Sequence, residues 1–455
     1  MPGMKMPMDM GGMNMKGPMD MSGMKMDPSP NSWSDGAYIL DRELNFISGT
    51  PYTLAQLQAL AAKNNPTLIQ ARAQVEGERG KALQAGLWRN PDLAYSGQLM
   101  GVRNAGAGEF QGGMVQQEVV LGGKLKYSRK KYQARQSAAE QQEKAQQLRV
   151  MNDVAIEFYK TLAAMHKVRV HEDFVNSAQD SWITRREMLN TGEANHADIQ
   201  LVNAELERAK LRLMAAQNDL QFHWQRLTCV VGIEAVLAPL DGQLEDDSQV
   251  GNWNKVVHDT VEGSPELGEA KAKLHSDEIT LIREHRQRVP NLLLCAGPGY
   301  DQIDKSMTAV ATASVTNLPL FNRNQGTIIQ AKADLTRQQA QVKLIELQLR
   351  SKLAEHFRTY TTAKQHVDGY RKVIVPAAVQ RYQLQLQSYQ NVRTDWPTVL
   401  ESQKDMLSAK LTYIDHLTEL KNAETELRGF VLTGGLVAPP GVTPPGHIDA
   451  TPNPR

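Results

Sequence analysis

The chain has no run of 18 or more apolar residues, so it holds no transmembrane helix, and any membrane crossing has to be made by a β-barrel. Aromatics supply only 6% of its 455 residues, which is too thin for ordinary globular cores of that length and points to long helices packed through narrow stripes. Neither sign of charge dominates. The 51 basic and 50 acidic side chains are spread along the sequence, which leaves no basic face for nucleic acid. Cys229 and Cys295, the only cysteines, lie far apart in apolar surroundings and are expected as small buried hydrophobes rather than as a disulfide or metal ligands. No charged stretch followed by an apolar one opens the chain, and no cysteine near its start could carry a lipid, so a processed chain or a start further upstream is expected. H-E-x-x-H, G-x-S-x-G and G-x-x-x-x-G-K-(S/T) are all missing, so neither an enzyme nor a resident cofactor is expected. The histidines do not cluster either. His166 and His171, and His356 and His366, stand at spacings that do not share a helix face, which argues against a zinc site.

What is present is a repeat. Pro66-Thr-Leu-Ile-Gln-Ala-Arg-Ala73 and Pro265-Glu-Leu-Gly-Glu-Ala-Lys-Ala272 share P-x-L-x-x-A-(R/K)-A at an offset of 199 residues. The same offset relates Pro91-Asp-Leu93 to Pro290-Asn-Leu292, Leu121 to Leu320 and Gly192 to Asn391, so the chain is a tandem duplication. In the first copy Thr53 caps a helix that Asn65-Pro66 interrupts and that runs on to about Trp88. Two poorly alternating stretches, 92–100 and 110–121, read as strands joined by the glycine-rich segment Gly101 to Gly108. A proline-free helix then covers Lys124 to Asn190, ~100 Å long at 1.5 Å per residue, and a return helix covers His196 to Val231. The second copy repeats the plan with a helix over 265–289, strands over 291–300 and 307–320, a long helix over 325–389 and a return over 396–430. Pro376 predicts a kink or break near Val375.

The expected divisions are a disordered leader (1–30), a linker (31–52), the first repeat (53–231), a connector (232–262), the second repeat (263–430) and a disordered tail with six prolines (431–455). The runs Arg129-Lys-Lys131 and Arg283-Glu-His-Arg-Gln-Arg288 read as solvated helix faces. Gly297-Pro-Gly299 reads as a turn or bulge. Trp88, Tyr95, Tyr300 and Phe321 border the strands, where either a membrane-interface belt or packing at helix ends would use them.

The leader has its own signature, with Met4, Met6, Met8, Met10, Met13, Met15, Met19, Met21, Met24 and Met26 interleaved with Gly, Pro, Lys and Asp. Thioethers are soft ligands that suit Cu(I), and Ag(I) by the same logic, without having to lose a proton. Transient capture of these ions is the expectation, beside the plainer reading of a biased solvating tail.

Thr53-Leu-Ala-Gln-Leu with Asn65-Pro-Thr-Leu68, Asn90-Pro-Asp-Leu-Ala-Tyr95, Gln117-Glu-Val-Val-Leu-Gly-Gly-Lys124 and Thr191-Gly-Glu-Ala-Asn-His-Ala-Asp198 resemble the TolC-type outer membrane efflux proteins, in their heavy-metal branch. The resemblance spans about 50–430. It implies a mainly α chain with a small β part, in which four strands per chain enter a trimeric twelve-stranded outer-membrane barrel and long coiled helices form a periplasmic α-barrel. It further implies a homotrimer embedded in outer-membrane lipid that receives substrate from an inner-membrane pump through a periplasmic adaptor. By position, the adaptor-docking tips would be Thr191, Gly192 and Glu193 in the first repeat and Asn391, Val392 and Arg393 in the second, where the usual glycine is lacking. Asp395 and Glu401 are the nearest counterparts of the acidic residues lining the family's closed aperture. The leader favours copper or silver as cargo, and cobalt, zinc and cadmium, or small-molecule efflux, are the rival. A soluble coiled-coil scaffold is the rival class, though it leaves four strand-like segments at equal offsets unexplained.

Overall fold

A computed structural model describes residues 49–98, 110–192, 194–245, 250–391 and 393–441. The methionine leader, Glu193 and Val392 lie outside the described residues.

The first repeat begins with the short strand β1 (Tyr52–Thr53), then α1 (Leu54–Asn64) and α2 (Pro66–Ala85). Thr53 and Gln56 cap α1 reciprocally, and Asn65 both ends α1 and caps α2, whose Pro66 needs no donor at the first helical position. Strands β2 (Asp92–Gln98) and β3 (Phe110–Val119) form a hairpin that feeds α3 (Lys124–Thr191), and α4 (His196–Val231) returns antiparallel to α3. The connector carries β4 (Leu240–Asp241), paired parallel with β1, and α5 (Trp253–Gly263). The second repeat supplies α6 (Pro265–Arg286), the hairpin β5 (Asn291–Asp301) and β6 (Ser306–Thr316), α7 (Gln325–Gly369), α8 (Val375–Gln390) and the return helix α9 (Trp396–Arg428). The main core lies halfway along α3, where Val154, Phe158, Leu162 and Met165 meet Trp224 of α4 and Tyr413 and Leu417 of α9.

The effect expected of Pro376 takes a specific form. Residues Tyr370–Ile374 make a π-turn between α7 and α8, so the chain stays helical across the proline. The wider turn accommodates the missing N–H and moves the upstream carbonyls that an α-turn would press against the ring.

Four expectations are corrected. Cys229 is exposed on α4 and Cys295 is half-buried in β5, so neither is a fully buried hydrophobe. The charge runs are not wholly solvated, because Lys131, Arg283 and Glu284 are buried. Arg283 donates to Ser128 Oγ and to Glu284, whose other oxygen accepts from Asn324 Nδ2, so hydrogen bonding keeps these charges inside. Gly297-Pro-Gly299 is neither turn nor bulge but continuous strand, with Gly297 opposite Val310 and Gly299 opposite both Gly112 and Thr308. The tail is not disordered from residue 431. Leu432 is buried, Asn152 Nδ2 donates to the Gly429 and Leu432 carbonyls, and Gln146 Nε2 donates to those of Gly435 and Val437. The Asp153 carboxylate accepts the Gly434 and Gly435 amides at 3.3 and 2.6 Å, and burial pushes its pKa up. Glycine and proline deny this segment regular structure, yet polar side chains of α3 satisfy its backbone.

Candidate functional site

The four strands form one sheet in the order β2-β3-β5-β6, with β2 and β6 as edges. Along each strand the alternation is weak, but the register sorts the side chains. Leu93 stands opposite Val115, Val115 opposite Ala296, and Ala296 opposite Ala311. Since side chains two apart share a face, one surface carries Leu93, Tyr95, Val115, Leu294, Met307 and Val315. All six are exposed, Leu93 at 87%. The opposite surface mixes Ser96, Gln116, Glu118, Thr308 and Thr312 with Phe110, Leu293, Val310 and several glycines. An exposed apolar face backed by a more polar one is the arrangement of a sheet between lipid and an aqueous lumen. Trp88 (60%), Tyr95 (68%) and Phe321 (93%) are exposed at its margins, so packing at helix ends does not account for them. They stand where interfacial aromatics belong.

The other end of the long helices carries the tips. Gly192 closes α3 with φ 80, and Ala194 N–H reaches back to the Met188 carbonyl, a closure that favours glycine because the backbone turns left-handed there. Thr191 is exposed and bonds the Met188 carbonyl. Among its described residues the second tip has no left-handed one. Asn391 sits at φ −91 and ψ 13, its Nδ2 donates to the Gln387 carbonyl, and Arg393 N–H bonds the Ser388 carbonyl. Asp395 is the exposed N-cap of α9 and accepts from Thr398 Oγ1, while Glu401 is exposed two turns further along.

What sequence reasoning missed is the device that joins the two tips. Arg185, on the last turns of α3, is 8% exposed, and its guanidinium lies 5.4 Å from the Tyr389 ring centre and 5.2 Å from that of Trp396. Those two rings meet edge to face at 5.0 Å across the second turn. Tyr389 Oη and an Arg185 nitrogen both approach Met188 Sδ, at 3.8 and 3.7 Å. The available signal was an aromatic on each side of Asn391, at Tyr389 and Trp396. Behind this clasp, buried Glu205 of α4 joins Lys404 of α9 at 3.0 Å and Arg208 at 3.3 Å. Burial raises its pKa, but the Lys404 and Arg208 partners outweigh that and hold the carboxyl below the usual range.

Comparison with known proteins agrees with this geometry. The family model for outer membrane efflux proteins matches residues 57–232, nearly all of the first repeat. The cobalt-zinc-cadmium resistance protein CzcC of Cupriavidus metallidurans is 22% identical over 388 residues, covering 83% of this chain and 89% of that protein. The nickel-cobalt-cadmium resistance protein NccC of Alcaligenes xylosoxydans xylosoxydans is 23% identical over 308 residues, 66% of this chain and 67% of its own. Among solved structures, the CusC channel superposes with a TM-score of 0.70 at 16% identity, covering 87% of this chain and 97% of its own. A sheet with one apolar face, a duplicated helical hairpin and a matching first repeat converge on one likeness: residues 57–232 match the outer membrane efflux protein family, and the chain as a whole is similar to heavy-metal resistance proteins and to outer-membrane channels of known structure.

Proposed function

We propose that three copies of this chain close a twelve-stranded barrel and act as the exit duct of a three-part heavy-metal efflux pump. An inner-membrane pump and a periplasmic adaptor would deliver the ions at the helical tips. The observation that carries this reading is the four-stranded sheet, apolar on one face, with both edges unpaired among the described residues. Free edges are not tolerated in hydrocarbon, so other copies have to pair them.

The duplication supplies the register of that pairing. The offset from β2 to β5 is 199, and the two hairpin registers make it 200 from β3 to β6. Carrying the Gln116–Cys295 pairing of β3 and β5 through those offsets sets Thr316 of one copy opposite Ser96 of the next. The double variant Ser96→Cys, Thr316→Cys is therefore expected to oxidise to a covalent trimer visible on a denaturing gel, since opposed strand residues lie within disulfide reach. Monomers alone after oxidation would remove the pairing.

For cargo, the methionine leader favours copper or silver. The two relatives, named for resistance to cobalt, zinc, nickel and cadmium, favour the divalent alternative. Deleting residues 1–30 separates them, with copper and silver tolerance expected to fall several-fold while zinc tolerance holds. Unchanged copper and silver tolerance would leave the leader without a metal-handling role.

A further inference from the structure

We infer that His366 and His416, far apart in sequence, form a two-imidazole binding site for a late first-row divalent cation on the seam between α7 and α9. The inference deepens the heavy-metal reading and rests on it for its cargo.

The two ring centres lie 4.5 Å apart with their planes at 62°. Imidazole nitrogens about 2.1 Å from one ion, at neighbouring coordination positions, place their ring centres roughly 4.5–5 Å apart, so the pair already has a chelating separation. Glu419 Oε2 stands 3.5 Å from His416 Nδ1. A carboxylate on that side favours the tautomer with the proton on Nδ1, which turns the Nε2 lone pair to an ion, the outer-shell arrangement that metal-binding imidazoles use. Tyr370, the first residue of the π-turn, backs His416 at 5.0 Å and limits its rotation. His366 is exposed, which opens the pair to solvent.

The surroundings extend the pattern. Glu419 lines a cleft of about 740 Å³ bounded by α3, α4, α7 and α9. His171 and His223 line the same cleft; the buried His171 Nδ1 has no hydrogen-bond partner there, and His223 Nδ1 stands 3.6 Å from Glu157. Ten residues before His366, His356 Nδ1 lies 2.6 Å from Glu426, which also lines the cleft. Two further histidines thus line the cleft that Glu419 borders, and a third pairs with a carboxylate of its wall. Among the described residues no three His, Cys, Asp or Glu groups are set as a finished cage. The His366–His416 pair accordingly leaves the remaining coordination positions to water, which gives weak, exchangeable binding suited to an ion in passage.

The test is calorimetric titration of the purified full chain in detergent with Ni²⁺, an ion that imidazole suits and the thioether leader does not. His366→Ala and His416→Gln are each expected to weaken one binding event per chain at least tenfold. His275→Ala, at an exposed histidine paired with Glu278 on α6, is expected to leave it unchanged. Wild-type affinity in both seam variants, or no Ni²⁺ binding by the wild type, would overturn the site. Because His366 is exposed, its truncation leaves the core intact, and a thermal melt matching wild type verifies this. Binding is read without pump or gradient, so its failure is separable from that of the efflux reading, which would appear as unchanged metal tolerance in cells lacking the protein.

Discussion

Gly297→Val is expected to abolish assembly of the membrane sheet, with the heat-modifiable, detergent-resistant oligomer missing from the outer-membrane fraction. A Cβ at Gly297 would stand 1.9 Å from the Gly113 carbonyl oxygen and 2.8 Å from Met114 Cα, both backbone atoms of β3. Overpacking costs about 1–3 kcal/mol where side chains can shift, and here the obstacle is the paired strand itself, so the cost exceeds that range. The neighbouring strand offers the control, because a Cβ at Gly113 meets nothing within 4 Å and Gly113→Ala should assemble normally. A wild-type oligomer from Gly297→Val would mean that β3 and β5 are not paired as described.

Arg185→Glu is expected to open the tips. The guanidinium is held between the Tyr389 and Trp396 rings, and each such contact contributes about 0.5–2 kcal/mol, more as water is excluded. The variant loses both contacts and sets a carboxylate against the negative ring faces. With about 1.4 kcal/mol per tenfold, losing both contacts should lower the ratio of closed to open tips by roughly fivefold to several hundredfold. Planar-bilayer conductance should rise accordingly, together with entry of a bulky antibiotic that wild-type cells exclude. Arg185→Lys should fall between, because an ammonium keeps the charge but loses the planar stack. Wild-type conductance in Arg185→Glu would show that the clasp does not hold the aperture.

The long helices were legible because their signals are local: a cap at Thr53, prolines at Pro66 and Pro265, glycine at Gly192, and uninterrupted helix formers between. The repeat was legible because duplicated residues keep their spacing. The sheet was legible only as four segments. Its apolar face is assembled across strands from Leu93, Val115, Leu294 and Val315, and no single strand alternates cleanly enough to reveal it. The charge run at Arg283 misled because burial there depends on Ser128 and Asn324, partners from two other segments. The Arg185 clasp and the seam histidines were invisible for the same reason, since each joins residues separated by at least fifty positions. The leader and two tip residues lie outside the described residues, so the metal-capture expectation rests on composition alone.

The docked tail reaches beyond packing. Residues 431–441 complete hydrogen bonds that begin on Thr67, Gln146 and Asn152, side chains made hundreds of positions earlier. Synthesis runs from the N-terminus, so the first repeat leaves the ribosome with Thr67 and Gln146 bonded to each other but short of the carbonyl partners that the later segment supplies, and with Asn152 lacking its own. A copy cut short anywhere upstream keeps a raw patch beside α2 and α3. The strap thereby ties the packing of the first repeat to residues synthesised some three hundred positions later.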